Sequence, residues 1–414
     1  MAMYRILYIS GSIGLGHVTR DILIADEVRR GGDSVEIEWI ATGPAKKILE
    51  GRGERFIPEA SLYYDPNAAA EAAAEGPALN LFQYGSRAGK GWLRNIALFK
   101  DILKAHTFDL VVADEAYEIS YFYGRRKKDH LPPFVEIIDF VGFEPMSKRL
   151  SERVKLWIMN GVWARSGRKN ASGQRTLFVG ERADVPEERF GLFLPPKRAY
   201  AEKTCTFIGY VLGFSPGELA DRGALRRRLG YGEKPLVVCT SGGTAVGAEL
   251  LRLCGKSYPL LRERLGEIEM VLVCGPAISP DEIEAPDGVS VKGYVPKLYE
   301  HLAACDLAVV QGGGGTTIEL TALRRPFLYF PLEGHFEQQH HIPRCLARHG
   351  AGVRMSYPST GVENLAETIC RHIGKSVRYS TVPMDGARLA AENIIELLNK
   401  GDPAVKERSR CSAS

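Results

Sequence analysis

A glycine run between two different periodic patterns constrains this sequence more than any other feature. The apolar stretch 307–310 is short and uninterrupted, as expected of a buried parallel strand. Four glycines follow at 312–315, and an apolar-periodic run through Ile318, Leu320 and Leu323 then predicts a helix. This order places free backbone N–H groups and the positive end of a helix dipole above the glycines. The pattern therefore predicts an anion site, and a phosphate is the usual occupant of such a site.

Polar side chains surround this turn at one edge of the predicted sheet. Thr316 and Thr317 stand at the positions of an N-cap and a first-turn residue. Glu319 lies about one turn further along, where a carboxylate can accept hydrogen bonds from ribose hydroxyls. A second buried strand follows and ends in a polar loop with two adjacent glutamines, Gln338 and Gln339. Because neighbouring parallel strands end at the same edge, phosphate, ribose and sugar contacts are predicted in one crevice.

In this pattern the chain resembles the donor-binding motif of GT-B glycosyltransferases, above all the MurG-like branch of glycosyltransferase family 28. The spacing from Asp306 through Glu319 and Pro326 to Gln338 and Gln339 is similar to that of this branch without a gap. The resemblance implies an α/β fold of the GT-B type, with two doubly wound Rossmann-like domains that face each other across a cleft. It also implies a hexosyltransferase whose donor is a nucleotide-sugar, in most of the family a UDP-sugar.

The resemblance implies a role for each residue of the motif. Glu319 would bind the nucleotide ribose, and the donor sugar would contact Gln338 and Gln339. The diphosphate would lie against Gly313, Gly314, Gly315, Thr316 and Thr317. A second glycine loop, which in the family closes over the diphosphate and the sugar, corresponds to Gly242, Gly243 and Thr244. The base would be recognised by backbone groups at Tyr294 and Val295.

The first half of the chain opens with another strand, glycine turn and helix. Its glycines at 11, 14 and 16 are spaced G-x-x-G-x-G rather than G-x-G-x-x-G, and no acidic residue follows the second strand at Ile40. Both features disfavour a dinucleotide-dependent oxidoreductase. We interpret Gly14 and Gly16 as an acceptor-side loop, similar to the Gly-His motif that opens the MurG-like acceptor domain.

His17 is the residue of this loop that carries chemistry in our interpretation. It lies just past the glycines, near a helix N-terminus and at the carboxyl end of a parallel strand. An imidazole with a pKa near ~6.5 suits a general base that removes the acceptor proton at neutral pH. The alternative is a first-turn helix residue without chemistry. Asp114 and Glu115 follow the strand predicted at 108–113, and one of these carboxylates could assist or replace His17, or else cap the next helix.

The predicted chemistry is inverting glycosyl transfer by direct displacement at the anomeric carbon. Helix N-termini and glycine-loop amides would stabilise the departing nucleotide diphosphate. No D-x-D motif, CxxC pair or Cys/His cluster occurs in the sequence, so we expect no metal and no cofactor other than the co-substrate. Two alternatives stay open. One is a nucleotide-sugar epimerase or hydrolase on the same fold, and the other is a non-catalytic nucleotide-sugar-binding protein.

The composition of the chain and the positions of its glycines and prolines predict the domain organisation. The Gly- and Pro-rich stretch near residue 209 marks a linker between an acceptor-binding domain (1–208) and a donor-binding domain (209–385). The amphipathic segment 386–400 would cross back onto the first domain, as the last helix commonly does in GT-B proteins. The polar tail 401–414 is predicted to be mobile.

The remaining sequence features limit the possible binding partners and the cellular location. The net charge of +4 is mild for 414 residues and predicts no nucleic-acid partner. Scattered cysteines, no membrane-spanning apolar run and no signal peptide favour a cytoplasmic protein. A basic-aromatic segment at 82–104 could rest on an anionic membrane surface, or it could be a lid with an ordinary packed helix. The acceptor (lipid, saccharide or small natural product), the sugar and the oligomeric state stay open.

The donor prediction can be tested by thermal unfolding with UDP, GDP, TDP and NAD. A ligand at ~100 times its dissociation constant stabilises the folded state by roughly 2.7 kcal/mol. We expect a shift with UDP that Glu319→Ala abolishes, because the ribose contact is lost. A shift with NAD instead would mean that the first glycine turn binds a dinucleotide, and no shift with any nucleoside diphosphate would contradict a donor site.

Overall fold

The computed structural model describes most of the chain, namely residues 3–11, 15–32, 34–65, 74–75, 78–79, 81–125, 131–166, 173–243 and 247–401. Within 74–90, and at 125, 166 and 401, the description covers the backbone only. Two of the predicted loop residues, Gly14 and Thr244, lie outside the described residues, and so does the tail after residue 401.

The described strands form two larger sheets and one small hairpin. In chain order they are β1 (Tyr4–Ile9), β2 (Val35–Ile40), β3 (Arg55–Phe56), β4 (Ala74–Glu75), β5 (Ala78–Leu79), β6 (Leu110–Asp114), β7 (Phe134–Ile138), β8 (Gln174–Val179), β9 (Cys205–Gly209), β10 (Leu236–Thr240), β11 (Glu269–Val273), β12 (Val289–Lys292), β13 (Leu307–Gln311), β14 (Phe327–Phe330) and β15 (Val353–Arg354).

Both larger sheets are parallel and doubly wound. The first has the order β3-β2-β1-β6-β7-β8-β9, and the second has the order β12-β11-β10-β13-β14-β15. Every residue of β6, β10 and β13 is buried, as an uninterrupted apolar run predicts for a strand covered on both faces. In β1, Ile6 and Tyr8 pack into one core while Leu7 and Ile9 pack into the other. The predicted class, two doubly wound α/β domains, is confirmed.

Helices cover both faces of each sheet. The α-helices are Leu15–Gly31, Gly43–Gly51, Leu81–Ala105, Tyr117–Arg125, Leu150–Ser166, Lys197–Thr204, Arg222–Leu229, Ala248–Leu265, Leu298–Ala304, Gly314–Ala322, Ile342–His349, Val362–His372 and Gly386–Gly401. A π-helical turn, Glu337–His341, precedes the helix that begins at Ile342. Within the part of the chain that the structure describes, no helix combines the length and the apolar character needed to cross a bilayer.

The last helix, Gly386–Gly401, belongs to the core of the first domain. Its buried residues Ala390, Ile394 and Leu397 share a cluster with Val18 of the first helix. Arg175 on β8 donates to the Asn393 side chain at 2.7 Å. The chain therefore crosses between the domains twice, and the two crossings lie side by side where the Tyr210 amide donates to the Pro383 carbonyl at 2.9 Å.

Two groups of ion pairs join the domains across the cleft. Arg348 of the second domain binds Glu181 at 2.5 Å and Asp184 at 2.7 Å. Arg344, one turn earlier, lies 3.2 Å from Glu144. Both arginines stand on the helix Ile342–His349, so that helix ties the second domain to the acceptor side of the first.

Substitution of a residue in the last helix should destabilise the first domain. Ile394 has no exposed surface, so Ile394→Ala removes buried methylenes and should lower the free energy of unfolding by about 2–5 kcal/mol. Glu392→Ala is the matched control, because its pair with Arg388 is solvent-exposed and contributes little to stability. Urea unfolding followed by tryptophan fluorescence measures both. Equal stability of the two variants would contradict the docking of this helix.

Candidate active site

The carboxyl ends of both sheets line one cleft of about 2130 Å³. Thirteen of the residues predicted from the sequence line it: Gly16, His17, Gly242, Gly243, Tyr294, Val295, Gly313, Gly314, Gly315, Thr316, Thr317, Glu319 and Gln338. Two predicted residues, Asp114 and Gln339, are not part of this wall. The structure thus brings residues from distant parts of the chain to one place, as the sheet topology requires.

Glycines allow the two domains to approach each other closely inside the cleft. A Cβ atom on Gly243 would lie 2.5 Å from Cγ of Leu15, and one on Gly315 would lie 3.8 Å from Cα of Gly16. The first turn of the helix Leu15–Gly31, which carries His17, therefore touches both glycine turns of the second domain. A side chain at Gly243 would force the domains apart, so the need for glycine here is steric.

His17 stands at the start of the first helix with its two ring nitrogens in different surroundings. Nδ1 lies 3.3 Å from Oδ1 of Asp114 and 2.8 Å from Nη2 of Arg20. Nε2 points to the cleft side and lies 3.8 Å from Oε2 of Glu115. Asp114 can accept only when Nδ1 carries the proton, and Arg20 can donate only when it does not. The first tautomer leaves the lone pair of Nε2 free to act as a base.

Asp114 is fully buried and lies behind the imidazole, out of reach of a substrate. Burial alone would raise the pKa of this carboxyl, but the charges and hydrogen bonds of Arg20 and His17 lower it by a larger amount. The pKa of Asp114 is therefore held well below its ordinary range. Arg20 donates to Asp114 from Nε at 2.7 Å and again from Nη2. Asp114 is therefore placed to orient the imidazole of His17 and to stabilise positive charge on it, and it is not placed to contact a substrate itself.

Arg20, Glu115 and Asp139 complete this centre. Arg20 follows His17 by three residues on the same helix face, and its Nη1 lies 2.7 Å from Asp139. Asp139 comes just after β7, at the same sheet edge as Asp114. Neither Arg20 nor Asp139 was predicted from the sequence. The spacing of Arg20 from His17 and the position of Asp139 directly after a strand are the signals that indicate them.

The centre also presents a group of atoms of the kind that bind metals. His17, Glu115 and Asp139 each place one such atom within 4.8 Å of the others. Arg20 already neutralises Asp139 at 2.7 Å, and its guanidinium would repel a second cation at this point. We therefore interpret these three side chains as groups that bind and transfer a proton.

On the donor side, the helix Gly314–Ala322 points its N-terminus into the cleft. Its N-cap is Gly313, without a side-chain cap, so the prediction that Thr316 stands at the N-cap was wrong. The hydroxyl of Thr317 donates to the carbonyls of Gly313 at 2.8 Å and Gly314 at 3.1 Å. Because the glycines themselves form the first turn, their backbone amides are the groups offered to an anion.

Glu319 lines the cleft further along the same helix. Burial raises the pKa of its carboxyl to about 7. A buried carboxyl of this kind gains from hydroxyl donors, which would restore the hydrogen bonds that it loses on leaving water.

The two glutamines stabilise the loop after β14. The side-chain oxygen of Gln338 accepts from the Leu332 amide at 3.0 Å. The amide group of Gln339 donates to the Leu332 carbonyl at 2.9 Å, and its oxygen accepts from Arg354 at 2.5 Å. Gln339 therefore has both ends engaged within the protein, whereas Glu337 and Gln338 of the same π-helical turn line the cleft. Burial and then Asp139 raise the pKa of Glu337 to about 8.

An apolar wall leads from the reaction centre towards solvent. Phe336 of the second domain packs edge-on against Phe140 at 4.8 Å and against Phe143 at 5.4 Å between ring centroids. The wall continues along the helix Leu150–Ser166, where Leu156 and Met159 line the cleft. Several apolar side chains of the same helix and the adjacent loop are exposed: Leu150, Val154, Trp157, Ile158, Val162, Leu192 and Phe193.

Comparison with known proteins supports a relation to one group of transferases. Residues 237–398 match the glycosyltransferase family 28 C-terminal domain. An uncharacterized glycosyltransferase of Methanopyrus kandleri is 28% identical over 165 residues, which cover 39% of this chain and 45% of that relative. One from Methanosarcina mazei is 30% identical over 167 residues, which cover 39% of this chain and 41% of the relative. The chain thus spans less than half the length of these two archaeal proteins.

Longer matches extend over both domains. A UDP-N-acetylglucosamine–N-acetylmuramyl-(pentapeptide) pyrophosphoryl-undecaprenol N-acetylglucosamine transferase of Bifidobacterium longum is 24% identical over 419 aligned positions, which cover 89% of this chain and 96% of the relative. A solved spinosyn rhamnosyltransferase in complex with spinosyn aglycone has a TM-score of 0.55 at 16% identity, covering 99% of this chain and 100% of its own. A calicheamicin glycosyltransferase gives a TM-score of 0.55 at 14% identity, with coverages of 100% and 98%. At these identities the structural likeness establishes the GT-B fold.

The buried pair of Asp114 and Arg20 should contribute to stability in a pH-dependent way. Asp114→Asn leaves Arg20 partly unpaired and should cost about 3–5 kcal/mol at neutral pH. Because the folded-state pKa of Asp114 lies below its unfolded value of ~3.9, the stabilisation is complete above that pH and is lost as the pH falls further. The difference in the free energy of unfolding between wild type and Asp114→Asn, measured with urea, should therefore become smaller below pH ~4. An exposed control, Glu187→Gln, should show no such difference, and a gap that stays constant at acid pH would contradict an ionised Asp114.

Proposed function

Since residues 237–398 match the glycosyltransferase family 28 C-terminal domain, we propose that this protein transfers a sugar from a nucleotide diphosphate to an acceptor hydroxyl. One observation carries the proposal. The first turn of the helix that carries His17 touches the N-terminus of the helix Gly314–Ala322, since a Cβ on Gly315 would lie 3.8 Å from Cα of Gly16. A general base and an anion site thus meet at one point of the cleft, which is the arrangement that glycosyl transfer needs.

The donor in this proposal lies along the second domain. Its diphosphate faces the free amides of Gly314 and Gly315 in the first turn of the helix, because the Gly313 amide already donates to the Gln311 carbonyl at 2.7 Å. Its ribose contacts Glu319, and its base lies near Tyr294 and Val295. These residues line one continuous stretch of the cleft. Gln338 supports the sugar from the loop after β14, whereas the position of Gln339 suits it to hold that loop. We propose a uridine nucleotide, in keeping with the UDP-sugar named for the Bifidobacterium longum relative.

The proposed reaction is a single displacement with inversion. The acceptor O–H bond breaks and its proton moves to Nε2 of His17, while the oxygen forms a bond to the anomeric carbon. The bond from that carbon to the diphosphate oxygen breaks, and the nucleotide leaves with the electron pair. Asp114 stabilises the imidazolium from the Nδ1 side. The helix N-terminus stabilises the leaving group, and in our proposal this electrostatic term takes the place of a metal.

The acceptor in this proposal is an amphiphile that the protein meets at an anionic membrane surface. The wall formed by Phe140, Phe143 and the helix Leu150–Ser166 offers an apolar path to His17. Trp157 and Phe193 lie 45% and 90% exposed beside it. Five basic residues and one acidic residue occur between positions 148 and 165, a balance that favours anionic lipid.

The donor site can be tested through the pH dependence of binding. Because the carboxylate form of Glu319 accepts ribose hydroxyls and its pKa is about 7, binding of UDP-glucose should strengthen by roughly tenfold between pH 6 and pH 8. Glu319→Gln should bind weakly and without this dependence. His17→Ala should keep both the affinity and its pH dependence but lose about a hundredfold in turnover.

Calorimetric titration with UDP-glucose and an assay of UDP release measure the two effects. The phosphates of UDP-glucose do not titrate in this range, so the comparison reports on the protein. Full turnover in His17→Ala would contradict the base assignment. Release of free sugar by wild type at its full rate, with no acceptor present, would favour a hydrolase instead.

A further inference from the structure

On the basis of the glycosyl transfer proposed above, we propose that Glu337 is a specificity-determining residue, whose carboxyl group binds a hydroxyl group of the sugar that is transferred. The resemblance to the MurG-like branch gave the sugar contacts to Gln338 and Gln339 and left Glu337 without a role. Its place between the two halves of the cleft, the support of its loop and its free carboxyl group together point to this contact.

The carboxyl group of Glu337 lies beside the first turn of the helix Gly314–Ala322. Its Oε1 lies 3.8 Å from the point where a Cβ on Gly314 would stand. The free amides of Gly314 and Gly315 are the groups that this turn offers to a diphosphate. A nucleotide-sugar bound there carries its sugar on the far side of the diphosphate, so the sugar is the part of the ligand that comes within reach of Glu337.

Glu337 also faces the reaction centre of the first domain. It interacts electrostatically with Asp139 and with Tyr117, which follow β7 and β6. Both of these residues line the cleft together with His17. In the proposed reaction the anomeric carbon is bonded first to the diphosphate and then to the oxygen that His17 deprotonates, so the sugar spans the distance between these two sites. Glu337 lines that stretch of the cleft.

The loop that carries Glu337 is held on both sides of this residue. Phe336 packs edge-on against Phe140 of the first domain, with 4.8 Å between ring centroids. The side-chain amide of Gln339 donates to the Leu332 carbonyl at 2.9 Å. The π-helical turn begins at Glu337, and such turns are frequent at functional sites. Because its neighbours are fixed, the carboxyl group is presented in one place, as selection among similar sugars requires.

The hydrogen-bonding capacity of Glu337 is unused within the part of the chain that the structure describes, where no residue bonds to its carboxyl group. The adjacent Gln338 uses its side-chain oxygen to accept from the Leu332 amide at 3.0 Å, which leaves its NH2 group. Both residues line the cleft. They therefore offer a carboxyl acceptor and an amide donor from neighbouring positions, a combination that matches the hydroxyl groups of a sugar. A hydroxyl partner would also offset the cost of partly burying the carboxyl.

The proximity of Glu337 to the diphosphate site does not oppose this role. Burial and then Asp139 raise the pKa of Glu337 to about 8, so its carboxyl is mainly protonated at neutral pH and repels the diphosphate little. Both the protonated and the ionised carboxyl accept a hydrogen bond from a hydroxyl group. The contact therefore depends on where the group lies and not on its protonation state.

Calorimetric titration can separate a sugar contact from a nucleotide contact. The ligands are UDP, UDP-glucose, UDP-galactose and UDP-N-acetylglucosamine. We expect Glu337→Ala to weaken binding of the sugar nucleotide that wild type prefers by about tenfold, because one hydrogen bond to the sugar is lost. The Kd for UDP should stay within about twofold, since UDP lacks the transferred sugar. Glu337→Gln keeps a group that accepts and donates and should stay within about threefold of wild type for every ligand.

Glu333→Ala is the matched control, because Glu333 stands in the same loop and its side chain is not part of the cleft wall. This variant should bind UDP and the preferred sugar nucleotide like wild type. Unchanged binding of UDP to Glu337→Ala shows in addition that the cleft of that variant is folded, so a loss confined to the sugar nucleotide reports a contact with the sugar.

Analogues of the preferred sugar nucleotide that each lack one sugar hydroxyl identify the group that Glu337 binds. One analogue should bind wild type about tenfold more weakly than the parent, and Glu337→Ala should cause no further loss with it, because the contact is already absent. With the other analogues the effect of Glu337→Ala should be the same as with the parent. A hydroxyl bound by Glu337 thus appears as a loss that occurs only once.

Equal loss of UDP and sugar-nucleotide binding in Glu337→Ala would overturn the proposal, and so would undiminished binding of the sugar nucleotide. Additive losses with every analogue, or a loss in Glu333→Ala as large as in Glu337→Ala, would also contradict a specific hydroxyl contact. Failure of the proposed glycosyl transfer gives a different result. In that case wild type itself would bind neither UDP nor any of the sugar nucleotides.

Discussion

The buried guanidinium of Arg20 is the interaction on which the reaction centre depends. It binds Asp114 and Asp139, which come from the ends of two neighbouring strands, and it contacts Nδ1 of His17. Without this cation two carboxylates would stand side by side in a partly dry site, at a high cost in free energy. With it, Asp114 stays ionised behind the imidazole. The remaining cleft-facing carboxyl, Glu115, is pushed towards its protonated form.

A second constraint, the close approach of the two domains, brings this centre to the donor side. Gly243 leaves room for Leu15 at the start of the helix that carries His17, and Gly315 lies against Gly16 in the same first turn. The ion pairs of Arg348 with Glu181 and Asp184 act across the same boundary. In the proposed reaction this contact matters chemically, because excluding water from between the base and the leaving group strengthens every electrostatic contact there.

Much of the fold was predictable because it follows from local patterns. The apolar run 307–310 forms β13 (Leu307–Gln311) and the amphipathic segment 386–400 forms the helix Gly386–Gly401, so the predicted bounds of both differ from the observed ones by at most one residue. The start of the helix Gly314–Ala322 was predicted three positions too late, because glycine carries no side-chain signal for a cap whereas the threonines that follow do. The sequence did not predict that the Gln339 side chain would bond within its own loop. The conformation of a loop decides which of several adjacent polar residues faces a cleft, and a sequence motif does not specify that conformation.

The sequence by itself determined the two parallel α/β domains, the anion-binding turn and the candidate residues His17 and Glu319, since these depend on periodicity, glycine spacing and position at strand ends. Only the tertiary structure decided which way the carboxylates of Asp114 and Glu115 face. Asp114 and Glu115 are neighbours in the chain, yet one lies behind His17 with Arg20 and the other faces the cleft. That difference comes from a positive φ and from a guanidinium 94 residues distant in sequence, and neither can be read from the order of the residues.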